Sequence, residues 1–193
     1  MDKIALFLFE ASMLKKTPRS GWQFLGTGGE SVAEHSFGAS MIAFVLARLA
    51  DDVDADRVIR MALVHDLAEA RTGDLNYMNQ KYVTVDEQRA ADDMLENLPF
   101  GDEIRQLLDE YAERKTPEAQ LVYDADQLEL LVGLKEQLDL GNQSARDWMP
   151  FVLKRLKSDQ AQHLAESILH TNSSDWWFDQ GTSWWVRGGK KKE

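Results

Sequence analysis

The chain has 193 residues, 44% hydrophobic and 28% charged, with a formal net charge of −11. These values fit one globular domain and exclude a disordered chain. An acidic chain repels phosphate backbones, so no nucleic-acid polymer is expected as a partner. A bound phosphate compound needs local cations or a metal to overcome that field. The absence of cysteine excludes disulfides, zinc–thiolate sites and thiol nucleophiles, and it suits a cytoplasmic setting.

Residues about 2–15 carry Ile4, Leu6, Phe7, Leu8, Ala11 and Leu14, which predict a buried N-terminal helix ending before Pro18. The run from Ile4 to Phe9 is too short to cross a bilayer and lacks a basic flank and a small-residue cleavage site. Neither a signal peptide nor a membrane anchor is expected, and no other apolar run approaches spanning length. Residues 16–30, with Pro18, Gly21 and the Gly26–Gly29 cluster, read as a loop. Ser31 and Glu34 form a capping box that opens a helix over about 32–50. Asp54 is a candidate cap for a helix over about 55–71. Thr84 and Glu87 form a second capping box for a helix to about 97, which Pro99 and Gly101 end.

A further helix is expected over about 102–114. Thr116-Pro117 starts the next, which runs to about 140 and stops at Gly141-Asn142. Ser144 and Ser158 could open two final helices. No alternation lasts long enough to define a sheet. The expectation is an all-α helical bundle of seven or eight helices, a single domain over residues 1–193, with a core about 5–170 and a tail about 171–193. The tail holds Trp176, Trp177, Trp184 and Trp185, four of the six tryptophans, and is expected to pack back onto the core or a partner subunit. Lys190, Lys191 and Lys192 read as a solvated end.

His65, Asp66 and Glu69 lie three and four residues apart and can border one site on a helix. His35 upstream and Asp126 downstream must come from separate helices, which a bundle can bring together. Two imidazoles and two carboxylates are enough for one divalent metal. This nitrogen and oxygen set suits Mn²⁺, Co²⁺, Fe²⁺, Ni²⁺ or Zn²⁺ better than Ca²⁺. Asp124 competes with Asp126, but on a helix the two point about 160° apart, so only one should ligate. His163 and His170 have no carboxylate context and read as surface or packing residues.

The strings Glu30-Ser31-Val32-Ala33-Glu34-His35-Ser36, His65-Asp66-Leu67-Ala68-Glu69 and Thr72-Gly73-Asp74-Leu75, in that order and followed by Asp126, resemble the HD superfamily of metal-dependent phosphohydrolases. They are most similar to its YfbR-like 5′-deoxynucleotidase group. The resemblance covers roughly residues 5–140 and implies an HD-domain bundle, often dimeric. It also implies that His35, His65, Asp66 and Asp126 are metal ligands, for Co²⁺, Mn²⁺ or a similar ion, with Mg²⁺ also possible. Glu69 and Asp74 match two further active-site acids, Glu69 on the water side and Asp74 on the leaving-group or sugar side. Arg19 and Trp22 match a phosphate-binding Arg and a sugar-pocket Trp, although Ser20 and Gly21 separate them here. Lys81 is a further candidate phosphate cation.

The implied activity is hydrolysis of deoxyribonucleoside 5′-monophosphates by a cytoplasmic homodimer. Two alternatives stay open. One is a deoxynucleoside triphosphate phosphohydrolase, with Arg71, Lys81 and Lys115 as possible cations for the longer phosphate chain. The other is a metal-binding scaffold without turnover.

Overall fold

The computed structural model describes residues 1–187 and is all-α. Its elements in chain order are α1 (Asp2–Ala11), α2 (Val32–Leu49), α3 (Ala55–Val64), α4 (Glu69–Thr72), α5 (Glu87–Leu95), α6 (Gly101–Glu113), α7 (Pro117–Asp139), α8 (Ser144–Leu153), α9 (Asp159–His170) and α10 (Trp184–Arg187). Eight of these have nine residues or more, while α4 and α10 are single turns. Short 3-10 segments occupy Ser12–Lys15, Ser20–Phe24 and Asn79–Lys81. No strand forms among the described residues, and one antiparallel bridge joins Pro18 to Ser31. Lys190, Lys191 and Lys192 lie outside the described residues.

Five of the long helices start at side-chain caps, whereas α1, α6 and α8 do not, and Ser144 lies inside α8 rather than capping it. Ser31 Oγ accepts from the Glu34 N–H while the Ser31 N–H donates to Glu34 Oε2 at 2.6 Å, a complete capping box. Asp54, Thr116 and Ser158 each accept a backbone N–H two to three residues into α3, α7 and α9. α5 is capped by Asp86 rather than Thr84, because the Asp86 carboxylate takes the Arg89 N–H at 3.0 Å, so the helix starts at Glu87.

The expected helix over 55–71 is divided. α3 stops at Val64, and tight turns follow: the Leu67 N–H donates to Val64 O and the Glu69 N–H to Asp66 O. This turn places His65 and Asp66 at the end of a helix rather than inside one.

α7 is the central helix and packs against α2, α3, α8 and α9. The main core gathers Leu46, Met61, Val122, Leu128, Leu131 and Leu134 from α2, α3 and α7. A second cluster under α1 joins Leu14, Val32, Leu67, Met94 and Leu95. α1 itself has no buried residue, against the expectation. Ile4, Phe7 and Ala11 face that cluster, whereas Leu6, Leu8 and Phe9 point outward and are 61%, 62% and 73% exposed.

α2 also departs from expectation. Its 18 residues have a mean hydropathy of 1.2, enough by length and composition to cross a membrane. Its inner face is buried against α7 and α3 and carries His35, which identifies it as the bundle's core helix. Among the described residues the tail is tied to α7 where the Ser173 N–H donates to Asp139, but its aromatic side chains do not join the core. Trp177, Phe178 and Trp185 pack on one another at centroid distances of 5.1–5.8 Å, and Trp184 meets Trp185 at 4.5 Å. Trp176 is 86% exposed.

Candidate active site

Three elements supply the candidate ligands. α2 brings His35, the turn after α3 brings His65 and Asp66, and α7 brings Asp126. His35 Nε2 lies 3.4 Å from Asp66 Oδ2 and 3.3 Å from Asp126 Oδ1, and His65 Nε2 lies 3.2 Å from Asp66 Oδ2. Donor atoms of His35, His65 and Asp126 all fall within 4.8 Å of one another.

These atoms are buried without hydrogen-bond partners: His35 Nε2, His65 Nε2 and Asp66 Oδ2, together with Glu69 Oε2. Buried polar atoms are normally paired, so a convergent group of orphans indicates a missing ligand. Donors bound to one metal at about 2.1 Å stand roughly 3.0–3.4 Å apart, which these spacings match. Both imidazoles are also presented alike. His65 Nδ1 donates to Ala62 O at 2.7 Å, and His35 Nδ1 faces Glu129 Oε2 at 2.7 Å, leaving each Nε2 as the free acceptor. The donor set therefore fits a divalent cation.

Asp124, two residues before Asp126, is turned the other way. It is fully buried and accepts the Lys157 and Ser158 N–H groups at 2.8 Å each, fixing the start of α9. Asp126 Oδ2 accepts from Gln127 Nε2 at 2.9 Å, and the Tyr111 hydroxyl stands 3.5 Å away.

Arg19 is brought over the site by the Pro18–Ser31 bridge, in which the Arg19 N–H donates to Glu30 O. Its guanidinium lies 3.8 Å from Asp66, 3.5 Å from Asp74 and 3.8 Å from Glu30. Asp74 in turn accepts from the Ser20 backbone N–H and, at 3.0 Å, from the Ser20 hydroxyl. Ser20 Oγ also accepts from Asn76 N–H, so the Arg19 loop and the Asp74 loop are stitched together.

Trp22 donates Nε1–H to Glu30 Oε1 at 3.0 Å, and its ring presses on α7. A Cβ on Gly133 would lie 2.8 Å from Trp22 Cη2, so a glycine is needed there for the indole to seat. Lys81 sits exposed in the Asn79–Lys81 turn and forms no ion pair among the described residues. Arg71 pairs with Glu10 and Asp93, and Lys115 with Glu113, so neither is directed at the site. His163 and His170 lie exposed on α9.

Charge within the site is finely set. Burial opposes the His35 imidazolium, but the carboxylates of Asp126 and Glu129 outweigh it and push His35 up to about 10 in the metal-free site. Burial likewise opposes ionisation of Asp126 and Asp66, yet the imidazoles hold both below the usual carboxylate range. Burial against Asp66 and Asp74 pushes Glu69 up to about 9. Burial, with the Glu129 charge, pushes Glu30 up to about 7. Arg19 stays protonated despite burial because Asp66, Asp126, Asp74 and Glu69 surround it.

Sequence reasoning missed Glu129, Glu30, Tyr111 and Ser20. Only Glu129 had a signal, being an acid one helical turn beyond Asp126 on α7.

Comparison with known proteins agrees with this geometry. The family described as HD domain matches residues 11–169. The zebrafish (Danio rerio) 5′-deoxynucleotidase HDDC2 is 30% identical over 91% of this chain and 96% of its own length. The Escherichia coli 5′-deoxynucleotidase YfbR is 30% identical over 71% of this chain and 77% of its own. Among solved structures, a conserved hypothetical protein from Pyrococcus furiosus superposes with a TM-score of 0.72 at 29% identity, covering 86% of this chain and 98% of that one. A predicted metal-dependent phosphohydrolase from Magnetospirillum magnetotacticum gives 0.69 at 27% identity, covering 87% and 90%. The chain belongs to the HD-domain family, in the group that contains the HDDC2 and YfbR proteins.

Proposed function

We propose that this chain is a metal-dependent 5′-deoxynucleotidase, which hydrolyses deoxyribonucleoside 5′-monophosphates to deoxynucleoside and phosphate. The observation that carries the reading is the convergence of the orphaned Nε2 atoms of His35 and His65 with Asp66 and Asp126, under the Arg19 guanidinium. The names of the HDDC2 and YfbR relatives support the substrate class. In this reading His35, His65, Asp66 and Asp126 hold one divalent cation, Mn²⁺ or Co²⁺ best suiting the mixed donors, with Fe²⁺, Ni²⁺, Zn²⁺ or Mg²⁺ as further candidates. Such an ion would supply Lewis acidity to a phosphoryl oxygen and would lower the pKa of a nearby water.

The remaining work falls to the chain's own side chains. Arg19 binds the phosphate through its planar fork. Glu69 takes the proton of the attacking water. As the water oxygen bonds to phosphorus, the P–O5′ bond breaks and its electron pair stays on O5′, which receives that proton from Glu69. A dication in the site would favour the Glu69 carboxylate over the protonated form that burial imposes in the metal-free protein. Asp74 accepts from both donors of Ser20, so its role is to hold the Arg19 loop and the sugar side of the site rather than to donate a proton. Trp22, wedged on Gly133, walls the sugar pocket in this reading.

A monophosphate substrate is favoured over a triphosphate because Arg71 and Lys115 are each engaged by acids outside the site. A homodimer and a cytoplasmic setting belong to the same reading. Exposed apolar faces on α1 and α2 support the first and a cysteine-free chain the second. Phosphate release from the five deoxynucleoside monophosphates, from AMP and from dATP, each with Mn²⁺ or Co²⁺, tests the reading. The deoxy monophosphates should be the preferred substrates. Preference for dATP would move the activity to triphosphates, and release from none would remove it.

A further inference from the structure

α2 carries apolar residues on both faces, and only its inner face is covered. The outer face presents Glu34, Phe37, Met41, Phe44, Val45 and Arg48, all exposed, with Phe37 at 70% and Met41 at 51%. A surface helix ordinarily keeps its outward face polar, and one that is apolar all round is covered on every side. The aromatic tail does not provide the cover, because it packs on itself.

The order of residues along this face is self-complementary. Met41 stands at the centre, Phe37 is four residues before it and Val45 four after. Glu34 is seven before and Arg48 seven after. When a second α2 is laid antiparallel and crossed at Met41, Met41 meets its own copy and Phe37 meets Val45 of the second copy. Glu34 then meets Arg48 of the second copy. Within one chain Glu34 and Arg48 are 14 residues apart, roughly 21 Å along the helix, so they cannot pair. Arg48 forms no ion pair among the described residues and lies over the Phe44 ring at 5.2 Å. Glu34 spends Oε2 on its capping box and keeps Oε1.

We propose that the outer face of α2 is an isologous interface between two copies of this chain, crossing antiparallel at Met41. Such an interface places one patch against itself and requires complementarity about a two-fold axis, which an acid at one end and a base at the other provide. The rest of a chain of net charge −11 repels its copy, whereas this stripe opposes no like charges. A bilayer is the weaker occupant, because anionic headgroups repel so acidic a chain. The proposal deepens the homodimer in the reading above, and its test needs no turnover.

The experiment is light scattering and native mass spectrometry on the full chain, on Met41→Glu, on Met41→Lys and on an equal mixture of the two variants. The wild-type chain should be a dimer. Each variant should dissociate at least tenfold more readily, because like charges then meet at the axis. The mixture should recover dimers containing one copy of each, which only a Met41-to-Met41 contact predicts. Circular dichroism checks that the variants fold. Arg48→Glu, which opposes Glu34 of the second copy, is the substitute if a Met41 variant does not fold. A monomeric wild-type chain, a variant that stays dimeric, or folded variants whose mixture stays monomeric would each overturn the proposal. So would a monomer that binds lipid vesicles through this face. Turnover is read separately: its absence in the wild-type chain bears on the hydrolase reading, not on this interface.

Discussion

Glu129 Oε2 lies 2.7 Å from Nδ1 of His35, 94 residues away in the chain. The contact keeps a proton on Nδ1 and turns Nε2 toward Asp66 and Asp126, where it would ligate a metal on losing its own proton. Gly38 makes it possible: a Cβ there would stand 2.9 Å from Glu129 Cγ and 3.1 Å from Oε1. A mid-helix glycine costs about 1 kcal/mol relative to alanine, so its presence one turn after His35 is explained by the room it leaves.

Removing that support should weaken the site without dismantling it. Glu129→Ala is expected to lower Co²⁺ or Mn²⁺ affinity by roughly 10–100-fold. Glu129→Gln should lose less, since an amide oxygen still accepts from Nδ1. Calorimetric titration of the stripped protein reads both. Unchanged affinity in the alanine variant would contradict the role.

Asp124 and Asp126 should separate cleanly. Asp124→Ala leaves the buried Lys157 and Ser158 N–H groups without their acceptor and should cost on the order of 3 kcal/mol of stability, with metal binding by the folded fraction retained. Asp126→Ala should abolish tight metal binding by a chain that still folds, with some loss of metal-free stability because buried His35 loses a carboxylate partner. Denaturant unfolding beside metal titration distinguishes them, and the reverse pattern would exchange their roles.

Glu69 carries a pH signature in the metal-free protein. Its carboxyl is pushed up to about 9 in the fold, against 4.5 for an ordinary glutamate. Between those values the folded chain keeps a proton that the unfolded chain releases. The stability this group contributes is therefore complete below about pH 4.5 and is lost as pH rises toward 9. Glutamine has no such proton. Glu69→Gln should be more stable than the wild-type chain at pH 7 by on the order of 2 kcal/mol, with the gap closing toward acid, while turnover is lost. Unfolding in chelator from pH 5 to 9 measures this, and parallel profiles would argue against it.

Arg19 should govern binding more than chemistry. Arg19→Ala is expected to raise KM for a deoxynucleoside monophosphate by roughly 10–100-fold, the equivalent of one charge-assisted contact. Arg19→Lys should recover part of that, since it keeps the charge but not the fork. A kcat loss with KM unchanged would place Arg19 elsewhere in the reaction.

Much of the fold was legible because caps are local chemistry: Ser31 with Glu34, Asp54, Thr116-Pro117 and Ser158 all start helices as their sequences indicate. The break after Val64 was not legible, because no proline or glycine interrupts residues 55–72 and apolar spacing runs through it. α1 misled for a related reason: a nearly continuous apolar run carries no phase, so it could not say that Leu6, Leu8 and Phe9 face outward. Within the site, the opposed directions of Asp124 and Asp126 follow from helical geometry alone. Glu129 was legible in principle, one helical turn beyond Asp126, whereas Ser20 and Tyr111 reach the site only through tertiary packing, which no spacing along the chain encodes.

The most direct test of the central claim is phosphate release from dAMP by protein stripped of metal and then titrated with Co²⁺ or Mn²⁺, beside Asp66→Ala. Activity should be absent in the stripped protein, rise in proportion to bound metal, saturate near one ion per chain, and stay absent in Asp66→Ala. Full activity in chelator, or activity in Asp66→Ala equal to that of the wild-type chain, would contradict the account.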